Sequence, residues 1–394
     1  MRVRLRLLTL LLLVASSIIV PTSQANDVVA LSDDLIAITP ETITNLALLS
    51  HLPEMERPVS LAFAANMSAV FVQTETQTGG GRAAMLTWPS LQPILTELPL
   101  ETGYLGGDGL LFTPDSRVVV ALDRNGEIIF YQTATGQQFE MSGFGLTAYT
   151  LRMDGLLAAG FTTFDVATGS VHTLCLIDPF NSSYASDDRL CLSQSAPVRV
   201  VHFLPSSTNL LVQTERNLLL IDATTGEILQ TYNISLPTSG TMATVPNPEQ
   251  DLPTVFLSQQ DYVLSLNLND GFQRTYANGQ GAVVTRIIVH PNGGQVLFLV
   301  RSDAQSIEQV WAVDVATKSV LARLPLYNRK EVGYNADGSL AFVNNTIYQT
   351  DNWDPVFEMG IGERPITFSP DRRLLVTLNT GTWRFNVYGI PSPQ

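Results

Sequence analysis

The sequence is short of the side chains that most compact catalytic and metal sites are built from. It holds four histidines and two cysteines in 394 residues. No H-E-x-x-H, G-x-S-x-G or D-x-D-x-D-G pattern occurs, so the local signatures of a zinc hydrolase, a serine hydrolase and a calcium loop are all missing. Sites gathered from distant segments leave no such signature, so this lack weighs little against them. Charge is sparse as well, with Asp, Glu, Lys and Arg making up 15% of the chain. The glycine-rich stretches "TQTGGGRAA" (76–84) and "GYLGGDGLL" (103–111) are not followed by a helix carrying Lys and Ser or Thr. They read as loops between strands rather than phosphate cradles.

Long apolar runs are absent except at the amino terminus. There "MRVRLR" is a basic start, "LLTLLLLVASSIIV" is apolar over 14 residues, and "SQA" puts small residues just before Asn26. This is the pattern of a secretory signal peptide over residues 1–25, leaving residues 26–394 as the mature chain. An uncleaved anchor is the rival reading, but Ser16, Ser17 and Pro21 interrupt a run already short of the ~20 residues a span needs. No cysteine lies near the cut to carry a lipid. The expected product is therefore a secreted or extracytoplasmic, soluble chain with no membrane attachment after cleavage.

Without Arg2, Arg4 and Arg6 the 22 basic residues fall to 19 against 36 acidic ones, a net charge of −17. Phosphate backbones and anionic lipid repel such a surface, which argues against a nucleic-acid partner. Cys175 and Cys191 each sit in a short apolar segment of "HTLCLIDPFNSSYASDDRLCLSQ". An oxidising compartment permits a bridge between them, worth about 3 kcal/mol for a loop of that size. Two buried free thiols are the alternative. Zinc would need two ligands beyond the pair, and only His172 is near.

What the sequence has in quantity is a repeated unit of four short apolar segments. The first segment ends in a Pro turn, as in "GLLFTPDS" (109–116), "VVHFLPSS" (200–207), "RIIVHPNG" (286–293) and "ITFSPDRR" (366–373). Pro presets one turn dihedral, and Asp or Asn closes the turn with its side chain. The second segments are "RVVVALD", "NLLVQTE", "QVLFLVR" and "RLLVTLN". A third and a fourth flank a tight turn such as "DATTG" (222–226). Segments of five to eight residues rich in Val, Leu, Ile, Phe and Thr are strands, and near-continuous apolarity in the second and third means both faces are covered.

The turns between third and fourth segments are placed at Ser90, Gly136, Gly169, Gly226, Gly271, Lys318, Trp353 and Gly389. Their mean spacing is about 43 residues, the period of a β-propeller blade. The expected fold is all-β: a single propeller of about eight four-stranded blades, with seven as the alternative. Sheets set around an axis bury both faces against their neighbours, which one sheet alone cannot do. The last unit ends at "FNVYGIPSPQ" with no fourth strand, so the residues around Ile43–Leu49 are expected to pair beside Phe385–Tyr388 and close the ring.

The F-x-P-D turns, Phe112-Thr113-Pro114-Asp115 and Phe368-Ser369-Pro370-Asp371, together with the closing strand, resemble the WD40-like and YVTN-type propeller superfamily over residues 37–390. The Trp-Asp and Gly-His pairs of strict WD40 repeats are missing, and "NWDP" (352–355) lies in a turn instead. The resemblance implies a fold. Asp222–Gly226 and Asp165–Gly169 are also similar to the D-x-x-T-G turn of eight-bladed quinoprotein dehydrogenases. The docking Trp of that motif is replaced by Leu or Thr, and no adjacent Cys pair is present, so no quinone cofactor is implied.

Candidate site residues are few. His202 and His290 lie near the ends of first strands but out of step by two positions, which fits packing. Sequons occur at Asn66, Asn181, Asn233 and Asn344. Four residues before each strand-ending aromatic stand Arg199, Lys330, Arg364 and Asp108, with Arg57 and Arg286 nearby in their own units. First strands line a propeller's channel, so Arg199, Lys330 and Arg364 are candidates for an anion-binding mouth; salt bridges to acids such as Glu56, Glu331 and Glu363 are the competing account. No catalytic, metal-binding or cofactor-binding residue emerges. The expected function is a monomeric, non-catalytic module presenting loops to a protein or glycan partner. The alternative is a propeller enzyme of lactonase or hydrolase type, with its site at the channel mouth.

Overall fold

The computed structural model describes residues 35–392 apart from 53–56, 76–80, 101–110, 114, 123–127, 142–145, 153–155, 168, 179–189, 205–206, 235–240, 246–251, 259–261, 277–281, 303–306 and 328–331. The expected leader at 1–25 lies outside the described residues, as do Lys330, Asp108 and Asn181.

Strands dominate, and they form eight antiparallel sheets in chain order, at 58–100, 111–141, 146–194, 198–232, 242–276, 282–326, 332–358 and 363–391. Seven sheets have four strands laid out in sequence order. The fourth shows the common plan: Val198–Phe203, Asn209–Thr214, Leu218–Asp222 and Ile228–Tyr232. Its middle strands are almost wholly buried, whereas the last exposes four of its five residues. First strands of the third to sixth sheets lie against one another in turn, as do those of the seventh, eighth and first. First strands are thus innermost and fourth strands outermost.

Eight apolar clusters fill the spaces between sheets, and each draws on two adjacent sheets. Phe256 and Phe298 join the fifth and sixth sheets, for example, and Val70, Val72, Leu374 and Phe385 join the first and eighth. Polar pins reinforce some of these spaces. The Tyr232 hydroxyl donates to the Leu268 carbonyl at 2.6 Å, from the fourth sheet to the fifth. Tyr276 repeats the contact one sheet on, to Val315 at 3.0 Å. Between the sixth and seventh sheets, Trp353 Nε1 donates to Gln295 Oε1 and His290 Nε2–H donates to the Gly338 carbonyl.

Six of the eight turn positions stand where the spacing put them, and two do not. Gly169 joins the second strand of the third sheet, Leu157–Asp165, to the third, Gly169–Ile177. The third-to-fourth connection of that sheet instead runs through the segment between the cysteines. Gly389 lies inside the strand Arg384–Pro391, paired with both Leu374 and Ala47. The close approach there needs glycine, because a Cβ would sit 2.6 Å from Leu49 Cδ1 and 3.2 Å from the Arg373 carbonyl.

The place of a fourth strand in the eighth sheet is shared by two amino-terminal pieces. Leu35–Ile36 pairs with Ile390 and Pro391, and Ala47–His51 pairs with Asn386–Gly389. Ile43–Asn45, which the sequence had put in the strand, is instead a single 3-10 turn between them. It is steadied by the Thr42 hydroxyl, which donates to the Ala37 carbonyl and accepts from the Thr39 N–H. Ile38 and Ile43 pack between the seventh and eighth sheets, and Leu52 between the eighth and first.

Candidate functional site

The first strands carry a shared irregularity that the sequence does not announce. In the first, third, fourth and sixth sheets the pairing of first and second strands skips one residue, at Val59, Thr147, Arg199 and Thr285. Each is a β-bulge four positions before the last residue of its strand, where an extra residue turns the local side-chain direction. At two of these positions a threonine satisfies the disturbed ladder. Thr147 Oγ1 donates to the Gly160 carbonyl at 3.1 Å, and Thr285 Oγ1 to the Leu299 carbonyl at 3.2 Å.

Arg199 occupies this position in the fourth sheet. Its guanidinium Nη2 is ion-paired with Glu215, while its Nε is sealed from solvent and has no hydrogen-bond partner among the described residues. Beside it, Leu146, Thr147, Ala148 and Tyr149 of the third sheet face Val200 and Val201 of the fourth across a cleft of about 230 Å³. Gly160 lets the second strand of the third sheet approach the first strand of the fourth, since a Cβ there would lie 2.7 Å from the Val198 side chain.

The other members of the candidate mouth are not gathered here. Arg364 is exposed and pairs in the ladder with Leu378, because the bulge of the eighth sheet falls two residues later, at Ile366. Arg57 lies over the Trp383 ring at 5.1 Å. Arg286 stands one residue past its bulge, opposite Leu299. Glu363, named as a salt-bridge acid, is buried and instead accepts hydrogen bonds from Thr377, Asn379 and Asn386.

The histidines are spread over separate sheets. His202 Nε2 meets Thr244 Oγ1 at 2.8 Å across the fourth and fifth sheets, and burial pushes its pKa down, keeping the ring neutral. His172 Nδ1 meets Thr162 Oγ1 at 2.9 Å within the third sheet. Among the described residues no three of His, Cys, Asp and Glu come together as a metal site. Of the sequons, Asn344 is buried, with its amide donating to the Pro325 carbonyl and accepting from the Tyr327 N–H, an arrangement a glycan would break.

A second feature stands out in the third sheet. Its middle strands run nine residues each, whereas the described flanking strands stop at Leu146, opposite Phe161, and at Gln194, opposite His172. On the Gln194 side the ribbon therefore reaches three residues, roughly 10 Å, past its neighbour. Phe164 is 76% exposed and Val166 at the tip 94%. At the base Cys175 and Cys191 are directly opposite in adjacent strands and joined by a disulfide, with Cα atoms 4.1 Å apart.

No family model matches the sequence, and no curated protein matches it either. The fold has clear counterparts among solved structures. The C-terminal WD40 domain of Sif2 superposes with a TM-score of 0.57 at 10% identity, over 87% of this chain and 99% of that one. The Cps50 (Swd1) β-propeller domain of Myceliophteria thermophila superposes with a TM-score of 0.47 at 13% identity, over 88% and 99%. With its eight sheets, the chain has a β-propeller fold like that of the Sif2 domain.

Proposed function

We propose that this protein is a non-catalytic binding module that works outside the cytoplasm and holds a protein partner on the ribbon of its third sheet. The observation that carries this reading is the exposure of Phe164 and Val166 on a folded, disulfide-braced ribbon. An aromatic anchor on a rigid support loses little conformational freedom on binding. Export is supported by the leader pattern over residues 1–25 and by the disulfide, which an oxidising compartment sustains.

Burying a phenylalanine contributes about 2 kcal/mol, so Phe164→Ala should weaken the partner roughly 30-fold. The test places a photo-crosslinking residue at 164 and, as a control, at the fully exposed Ile361. Saturable adduct formation with one extracellular protein at 164, abolished by Val166→Asp and absent at 361, is the expected result. Equal labelling at both positions, or none at 164, refutes the reading.

A further inference from the structure

We infer that the cleft between the first strands of the third and fourth sheets binds a small carboxylate with a short apolar tail, held by the Arg199 guanidinium. This does not rest on the ribbon reading. Three observations lead to it.

The first is a donor left over at the bulge. The bulge position that Arg199 fills is one where Thr147 and Thr285 satisfy a second-strand carbonyl from within their own sheet. Arg199 does without that local bond, as Val59 does in the first sheet, but unlike Val59 it brings a charged donor to the position. The arginine leaves its Nε buried and unbonded, and an unsatisfied buried donor of this kind calls for an explanation.

The second is the company the arginine keeps. The cleft wall is mostly apolar, with Leu146, Ala148, Val200 and Val201 beside Tyr149 and Thr147. The cleft's volume of about 230 Å³ has room for a small acid of a few carbons. A planar guanidinium at the edge of an apolar slot is matched by a carboxylate, which it can grip with two parallel hydrogen bonds.

The third is that the anion's place is held from within. Glu215 of the same sheet already pairs with Arg199, and it is about half exposed. A carboxylate therefore fits against this arginine, and an incoming one competes with Glu215. The chain's net negative charge opposes long-range capture of an anion, so selectivity has to come from contact inside the cleft.

The test is a calorimetric titration of the purified exported chain with hexanoate, hexanol and hexylamine. It is paired with titrations of a tetrapeptide ending in a free leucine carboxylate and of its amidated twin. Saturable binding of hexanoate but not of the alcohol or amine is expected. Arg199→Gln should weaken binding at least tenfold, and Glu215→Gln should tighten it severalfold by freeing the guanidinium. If the free peptide binds more tightly than hexanoate and the amidated one does not bind, the site takes chain termini. If hexanoate binds more tightly, it takes free acids. Absence of saturable binding by either carboxylate overturns the inference. So does unchanged binding by Arg199→Gln in a protein that melts like the parent. Glu215→Gln keeps the test open should Arg199→Gln fail to fold, and weaker binding by that variant also overturns it.

Discussion

A chain lacking residues 26–52 should not hold the propeller together. The removed segment serves both faces of the eighth sheet: Ile38 and Ile43 belong to the cluster shared with the seventh sheet, and Leu52 to the cluster shared with the first. These three side chains are wholly or almost wholly buried, and at about 1.5–3 kcal/mol each they contribute about 5–9 kcal/mol. The loss also strips the outer edge of Arg384–Pro391, which pairs with Leu35–Ile36 and Ala47–His51. Total domain stabilities lie near 5–15 kcal/mol, so the deletion removes an amount of the same order. Circular dichroism melts and size-exclusion chromatography at matched concentration should show a lost or strongly lowered transition and self-association through the bare edge. A peptide spanning 35–52, added in trans, should raise the melting temperature by re-forming the missing strand. A finer perturbation is Gly389→Val, whose Cβ meets Leu49 and the immovable Arg373 carbonyl; overpacking of this kind costs about 1–3 kcal/mol. A truncated chain that melts like the full one would refute the closure.

Three further predictions concern the pins between and within sheets. Tyr232→Phe leaves the buried Leu268 carbonyl without its donor and should lower stability by about 1–3 kcal/mol, read from the guanidinium midpoint. Burial pushes the Tyr232 pKa from its ordinary 10 up to about 12 and raises those of Tyr276, Tyr348 and Tyr388 in the same direction. The folded chain therefore keeps protons that the unfolded chain gives up. The stability this represents is fully present below pH 10 and is lost as pH rises through about 12, and the loss should be shallower in Tyr232→Phe. Replacing Cys175 and Cys191 together by Ser should cost about 3 kcal/mol, since the bridge spans 16 residues, and reductant should bring the parent to the same midpoint.

Much of the fold was legible because a repeat repeats its turn chemistry. Asp222 Oδ1 accepts from the Thr224 and Thr225 N–H groups, and Asp314 is served by Thr317, contacts that hold the carboxyls below their usual pKa range. That chemistry is local, and therefore blind to where in a sheet its turn lies. "DVATG" at 165–169 shares the D-x-x-T-G pattern of "DATTG" but closes a second-to-third hairpin, so the pattern alone misplaces Gly169. At Gly389 the period alone points to a turn, whereas the real constraint is a strand arriving from the other end of the chain. The bulges at Val59, Thr147, Arg199 and Thr285 could not be read at all, because a bulge is a relation between two strands. Arg199 was singled out by a count that landed on the bulge. The same count brought in Arg364, where the ladder runs unbroken. The tyrosine pins did leave a signal in the repeated Thr231-Tyr232 and Thr275-Tyr276 at the ends of fourth strands. Trp353 left another, since a tryptophan at a turn with φ of 60° needs burial to hold it there.

The seam between the chain's two ends differs in kind from the other seven junctions, and that difference explains how one pairing is selected. Apolar contact alone tolerates a slipped strand, because Leu48 and Leu49 offer similar surfaces in neighbouring positions. The polar groups do not. Asn386 donates its amide to the buried Glu363 carboxylate at 2.6 Å, which leaves its Oδ1 facing His51 Nδ1, also at 2.6 Å. His51 must then carry its proton on Nδ1. It can do so only at the position opposite Asn386, where the ladder places it. A slip of one residue would turn every side chain of 47–51 to the opposite face and leave Asn386 with a buried, unpaired acceptor. Packing against three sheets thus drives the amino-terminal segment into place, and the chain from His51 through Asn386 to Glu363 decides which residue sits opposite which.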